Sequence, residues 1–327
     1  MKPQRCSEIE LLRIISMLLV LIVHIDGASL GLPDARLGLD TPRDWWRIAV
    51  EAIAIIGVNC FTLISGYFGI RLRIRSVAAF LFQCIFYAVG IATLACLANP
   101  VRYGLDYWAE SWMVLTHTDL WYVPAYFMLM LLSPMLNAGF ASMTRRQAIA
   151  VTAAVVTFNL WAGWIWQQPF NPTGYTVMQL VMIYMIGRCV SLFPRPSRTG
   201  GFVWIAVWAL STAAIAATCF FTDTLRAFAY NSPFVILSSV SLLLFFLSLN
   251  LRSSVVNSLA QASFAVYLVH KAPVVWGGFM KPFVVKCWAS MSLAGFSVTA
   301  LLLATGIYLA VVPLDILRRR ISSLIIK

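Results

Sequence analysis

The chain has 327 residues, of which 61% are hydrophobic, 13% aromatic and only 11% charged. Soluble domains carry roughly 25% charged residues, so this composition excludes a water-soluble globular protein and reads as an integral membrane protein. The excess of 24 Lys+Arg over 12 Asp+Glu is read as loop charge that orients a membrane protein rather than as an affinity for nucleic acid.

A bilayer core takes about 20 apolar residues per helix. The expectation is therefore an all-α, polytopic transmembrane helix bundle of about ten spans, forming a single membrane-embedded domain over 1–327. No soluble catalytic domain fits beside the spans, so any chemistry must use intramembrane side chains and short loops, where an ionisable group is costly enough to suggest function.

The first apolar stretch, 11–31, follows Lys2 and Arg5 as a signal peptide would. It is read as a span instead, because Arg13 and His24 lie inside it and it exceeds the roughly 7–15 uncharged residues of a signal-peptide core. Further stretches follow at 49–70, 77–98, 119–138, 148–166, 174–193, 202–221, 233–250, 262–280 and 291–313. Arg71, Arg73 and Arg75, then Arg145 and Arg146, then Arg195 and Arg198, and finally Arg318, Arg319 and Arg320 mark alternate connections and the C-terminal end. Sixteen of the 24 basic residues thereby fall on one side, which places both termini in the cytoplasm.

All the acidic residues except Glu8, Glu10 and Asp315 fall on the other side. The two longest exterior connections, 32–48 and 99–118, hold Trp45, Trp46, Tyr103, Tyr107, Trp108 and Trp112. These rings fit interfacial anchors and fit equally a rim that stacks on sugar rings beside carboxylates that accept hydroxyls. The seven cysteines show no CxxC spacing and lie mostly in apolar stretches, so they read as small core residues. No GxxxxGK[ST], GxGxxG or HExxH occurs, which leaves nucleotide-fold and zincin chemistry unsupported and no metal expected.

Among the three histidines, His24 and His270 lie within apolar stretches. Arg13 and His24 are eleven residues apart; at about 100° per residue this is within about 20° of three full turns, with a rise of about 16 Å. Both therefore project from one helix face, a cation near the cytoplasmic end and an imidazole in the outer half. Asp26 is about 200° further round an α-helix than His24 and does not orient that ring through its own helix. Glu51, which enters the second span from the same exterior side, is the better partner. His117-Thr118-Asp119 could contact an acceptor or be a solvated loop, and His270 with Lys271 reads as structural or pore-lining.

At this point the pattern resembles the acyltransferase-3 family of bacterial membrane enzymes that acylate cell-surface glycans. Arg13-x10-His24 resembles its first-span signature. Gly57-Val58-Asn59 leading to Ser65-Gly66-Tyr67-Phe68 is similar to its second-helix motif. Leu120-Trp121-Tyr122-Val123 with Pro134, and Ser263-Phe264-Ala265-Val266-Tyr267-Leu268-Val269-His270, resemble its middle and late elements. The resemblance covers essentially the whole chain. It departs after Trp121, where Val123-Pro124-Ala125-Tyr126 stands in place of the Ser-Leu-x-x-Glu-Glu stretch of one large branch. The end of the chain soon after the tenth span leads us to expect the compact branch, without an extra extracellular domain.

The resemblance implies that His24 is the catalytic base and Arg13 a donor-site or architectural partner, with acetyl-CoA as acyl donor. The acceptor would be a hydroxyl of a surface or lipid-linked glycan, and the location a bacterial inner membrane. A neutral imidazole could deprotonate that hydroxyl or carry the acyl group transiently; the residues leave both open. Arg71, Arg73 and Arg75 could hold the phosphates of coenzyme A, since the arginine fork suits phosphate oxygens, or could serve topology alone. Ser65 and Gly66 could admit a narrow pantetheine arm or simply pack helices. The competing reading is a secondary transporter or flippase for a glycan precursor or small solute, with a non-enzymatic partner in polysaccharide export third.

Overall fold

The computed structural model describes residues 6–116 and 120–326. Helix is the only regular secondary structure among them. In chain order, α1 (Ser7–Val23) continues as a π-helical turn over His24–Ala28, and α2 (Pro42–Ala54) and α3 (Gly57–Phe68) follow nearly end to end. Then come α4 (Ile74–Ala98), α5 (Leu105–Glu110), α6 (Tyr122–Ser142), α7 (Arg145–Phe158) with a π-helical extension over Asn159–Ile165, α8 (Val177–Val190) and α9 (Arg198–Thr218). The chain continues through α10 (Thr224–Ala227), α11 (Pro233–Leu247), α12 (Ser254–Leu259), α13 (Ser263–His270), α14 (Pro273–Val275), α15 (Lys281–Ser290) and α16 (Leu293–Ile325).

Among the described residues, seven helical segments are long and apolar enough to cross a membrane. Two more of the apolar stretches form the shorter helices α8 and α11. The stretch 262–280 is not one continuous helix. Pro273 disfavours helical backbone at the residue before it, and Ala272 accordingly takes φ −56°, ψ 132° between α13 and α14.

Local signals explain the helix ends. Thr41 and Asp44 form a reciprocal capping box at the start of α2, with Pro42 in its first turn. Thr144 and Gln147 do the same for α7. Gly69, at φ 74°, terminates α3 in a conformation that only glycine adopts without strain.

The described chain forms two compact units. In the first, residues 1–70 with 132–260, α3 packs on α1, α8 and α11, and α11 packs on α9. Glycines permit the closest approach: a Cβ on Gly66 would lie 2.3 Å from the Tyr184 carbonyl oxygen, and one on Gly187 2.5 Å from that of Leu63. A buried amide network holds this unit together. Asn59 and Gln179 both donate to the Tyr230 carbonyl, at 2.9 and 2.7 Å, and Asn171 donates to Asn159 at 2.8 Å. Buried polar groups with partners rigidify a fold, which gives Asn59, the polar residue of the Gly57-Val58-Asn59 motif, a structural role.

The second unit, residues 71–131 with 261–327, packs α13 against α4 and α16. The Ser263 and Tyr308 hydroxyls meet at 2.8 Å, and Tyr87 donates to Asp315 at 3.3 Å. Asp315 is fully buried and accepts from Arg318 at 2.8 Å.

Candidate active site

In the first unit three buried ionisable groups, Asp26, Arg47 and Glu51, meet where α1 ends. The α-helix runs unbroken from Arg13 to Val23, with His24 still in helical conformation at φ −73°, ψ −36°. The shared face and the rise of about 16 Å between Arg13 and His24 therefore hold. Arg13 is partly exposed and donates to Glu10 one turn earlier at 3.1 Å. His24 is half-buried.

From His24 the helix widens into a π-turn, a device frequent at functional sites. The α-helical angle used to place Asp26 therefore does not apply beyond His24. Asp26 points to α2 instead, where the Arg47 Nε donates to its Oδ1 at 2.7 Å, and both side chains are buried. Arg47 also donates to the Gly31 carbonyl, which ties α2 to the chain leaving the turn. The Ser29 hydroxyl donates to the His24 carbonyl at 2.8 Å.

Glu51 lies four residues after Arg47, on the same face of α2. Its carboxylate reaches the same turn, where the Gly27 amide donates to it. A Cβ on Gly27 would stand 3.1 Å from Glu51 Oε1, so a side chain there would crowd the carboxylate. Glu51 is 2% exposed, and its Oε2, like Asp26 Oδ2, is buried without a hydrogen-bond partner. The π-turn carrying His24 is thus held from α2 by Arg47 through Asp26 and by Glu51 through Gly27. In the connection between them, the Arg36 side chain and amide hydrogen-bond to Asp34 and hold its carboxyl below the ordinary range.

The other expected site residues are placed as follows. The Ser65 hydroxyl donates to the Phe61 carbonyl of its own helix at 3.1 Å, and Gly66 faces α8. Arg71, Arg73 and Arg75 belong to the second unit and are all exposed; Arg73 is the N-cap of α4. Three guanidinium groups thus stand at the helix end that already carries partial positive charge, an arrangement suited to an anion. His270 is fully buried, with Nδ1 2.7 Å from the Val266 carbonyl of its own helix, and Lys271 lies over the Trp276 ring at 4.6 Å. His117 and its neighbours Thr118 and Asp119 lie outside the described residues.

Arg47 and Asp26 are the site residues that spacing did not reveal. The one available signal was the Arg47/Glu51 pair, a cation and a carboxylate one turn apart at the mouth of a span.

A family model described as an acyltransferase domain matches residues 7–315. No curated protein and no solved structure matches the chain.

Proposed function

The chain belongs to the acyltransferase-3 family, and from that premise we propose that this membrane acyltransferase moves an acyl group, in the first instance acetyl, from cytosolic acyl-CoA to a glycan hydroxyl. The acceptor in this reading is a capsule, exopolysaccharide or other surface or lipid-linked saccharide. The protein sits in a bacterial inner membrane with about ten spans and both termini in the cytoplasm. The family match crosses both compact units, which supports reading 1–327 as one functional domain.

The observation that carries this reading is a half-buried imidazole on a turn braced by two buried side chains of α2. In the proposed reaction His24 accepts the proton of the attacking sugar hydroxyl. The oxygen forms a bond to the thioester carbonyl carbon, the C–S bond breaks, and the departing thiolate takes the proton back from the imidazolium. A positioned base of this kind contributes about 10²–10⁴-fold.

Arg47 and Glu51 would fix the turn, and Arg13, on the same face about 16 Å away, would meet the phosphate-bearing part of the donor. Arg71, Arg73 and Arg75 offer a second cationic group for phosphate oxygens. The test is mass spectrometry of surface glycans from a deletion strain and from the same strain complemented with the wild-type gene. Loss of an acyl substituent on deletion and its return on complementation is expected; identical glycans in both strains would contradict the reading.

A further inference from the structure

A cavity in the first unit lies apart from His24, which is not among its lining residues. It is a slot of about 770 Å³ between α7, α8 and α11. One whole face of α11 lines it: Pro233, Ile236, Leu237, Val240, Leu244 and Leu247, spaced by three or four residues, so that they form a single stripe. Fourteen residues of α-helix rise about 21 Å, longer than the roughly 15 Å of one leaflet's hydrocarbon.

Another part of its wall runs from Ile149 to Leu160 along α7 and its extension. The slot is open along one side, where Ile149, Phe193 and Leu237 are 40%, 43% and 44% exposed. Two of its polar wall groups pair with each other, Cys189 donating to the Thr152 hydroxyl at 3.1 Å.

Only one end is charged. Arg195 is the sole ionisable cation among the described lining residues, and it pairs with Glu8 at 2.5 Å. Arg145 stacks its guanidinium over the ring of Phe193, itself a lining residue, at 3.7 Å. Two cations against one carboxylate leave the mouth net positive. A long apolar slot lying along the spans with a cationic mouth matches a molecule with one extended hydrocarbon chain and an anionic head. In a bilayer that molecule is an anionic phospholipid.

We propose that this slot binds an anionic phospholipid, one acyl chain lying along the α11 stripe and the phosphate at Arg145 and Arg195. The full-length protein in detergent, equilibrated with equal amounts of phosphatidylglycerol and phosphatidylcholine of matched chains, tests this by quantifying bound lipid with native mass spectrometry. Wild type should retain phosphatidylglycerol preferentially, and each of Arg145→Gln and Arg195→Gln should cut that preference about fivefold, the effect of one cation near an anionic lipid. Arg145→Gln leaves the Arg195–Glu8 pair intact, so it remains informative if Arg195→Gln does not fold.

Val240→Trp should fill the slot and release both lipids. Phosphatidylglycerol should also slow alkylation of Cys189 by N-ethylmaleimide in wild type and not in Val240→Trp. Equal retention of the two lipids by wild type would overturn the proposal. So would undiminished phosphatidylglycerol on Val240→Trp, or a disulfide-linked dimer through Leu237→Cys that excludes lipid.

Discussion

The guanidinium of Arg47 donates to the carboxylate of Asp26 at 2.7 Å, joining the second span to the π-turn that begins at His24. The two residues are 21 positions apart in the chain, and both are buried. Removing one partner of such a pair strands a buried charge and costs about 3–5 kcal/mol, whereas replacing both with apolar groups is often neutral.

Asp26→Asn and Arg47→Met singly should therefore lower both thermal stability and turnover. The double substitution Asp26→Leu with Arg47→Met should recover most of the stability without recovering kcat. Circular dichroism melts in detergent alongside coenzyme A release provide the check. Recovery of activity together with stability would mean that the pair stabilises the fold without positioning His24.

Gly27 and Glu51 make a second coupled pair. A methyl group at position 27 meets the carboxylate at 3.1 Å, so Gly27→Ala should depress kcat by displacing Glu51 and the turn. Shortening the acid should relieve the clash. The activity loss in Gly27→Ala/Glu51→Ala should accordingly be smaller than the product of the single losses, since residues in contact couple by roughly 0.5–3 kcal/mol. Additive losses would mean that the two act independently.

Donor binding is expected to depend on arginine geometry. Arg13→Lys keeps the charge and loses the planar fork, so it should restore only part of the acetyl-CoA binding lost in Arg13→Ala. Neutralising Arg71, Arg73 and Arg75 together should weaken binding and flatten its salt dependence, because exposed charges are screened over about 10 Å at 0.1 M salt. Equilibrium binding of acetyl-CoA at several salt concentrations measures both.

Topology is testable by labelling. Cysteines introduced at Thr144 and Ser197, the N-caps of α7 and α9, should react with a membrane-impermeant maleimide only from the cytoplasm. A cysteine at Asp106, in α5, should react only from outside. Labelling of Ser197→Cys from outside would invert the orientation and remove cytosolic access for the donor at Arg13.

Much of the helical layout was legible because apolar length and charged punctuation are local signals. Seven long segments and the short α8 and α11 coincide with nine of the ten apolar stretches. The break at Ala272 was written in Pro273 but masked by the apolar residues around it. The Arg13 and His24 relation was legible because α1 is regular up to His24. Beyond that residue the helix widens, and no periodicity rule predicts a π-turn, so the direction of Asp26 was lost. Arg47 was invisible for a different reason: its partner lies across the 32–48 connection, and pairing at that range is decided by tertiary packing.

The role of His24 as the base of an acyl transfer is tested by acetyl-CoA-dependent release of free coenzyme A by purified His24→Ala in proteoliposomes supplied with cell-envelope glycan, with acetyl-CoA binding measured on the same sample. Loss of a positioned base predicts turnover reduced by about 10²–10⁴-fold with binding largely intact. Near-normal turnover by a folded His24→Ala protein would contradict the account.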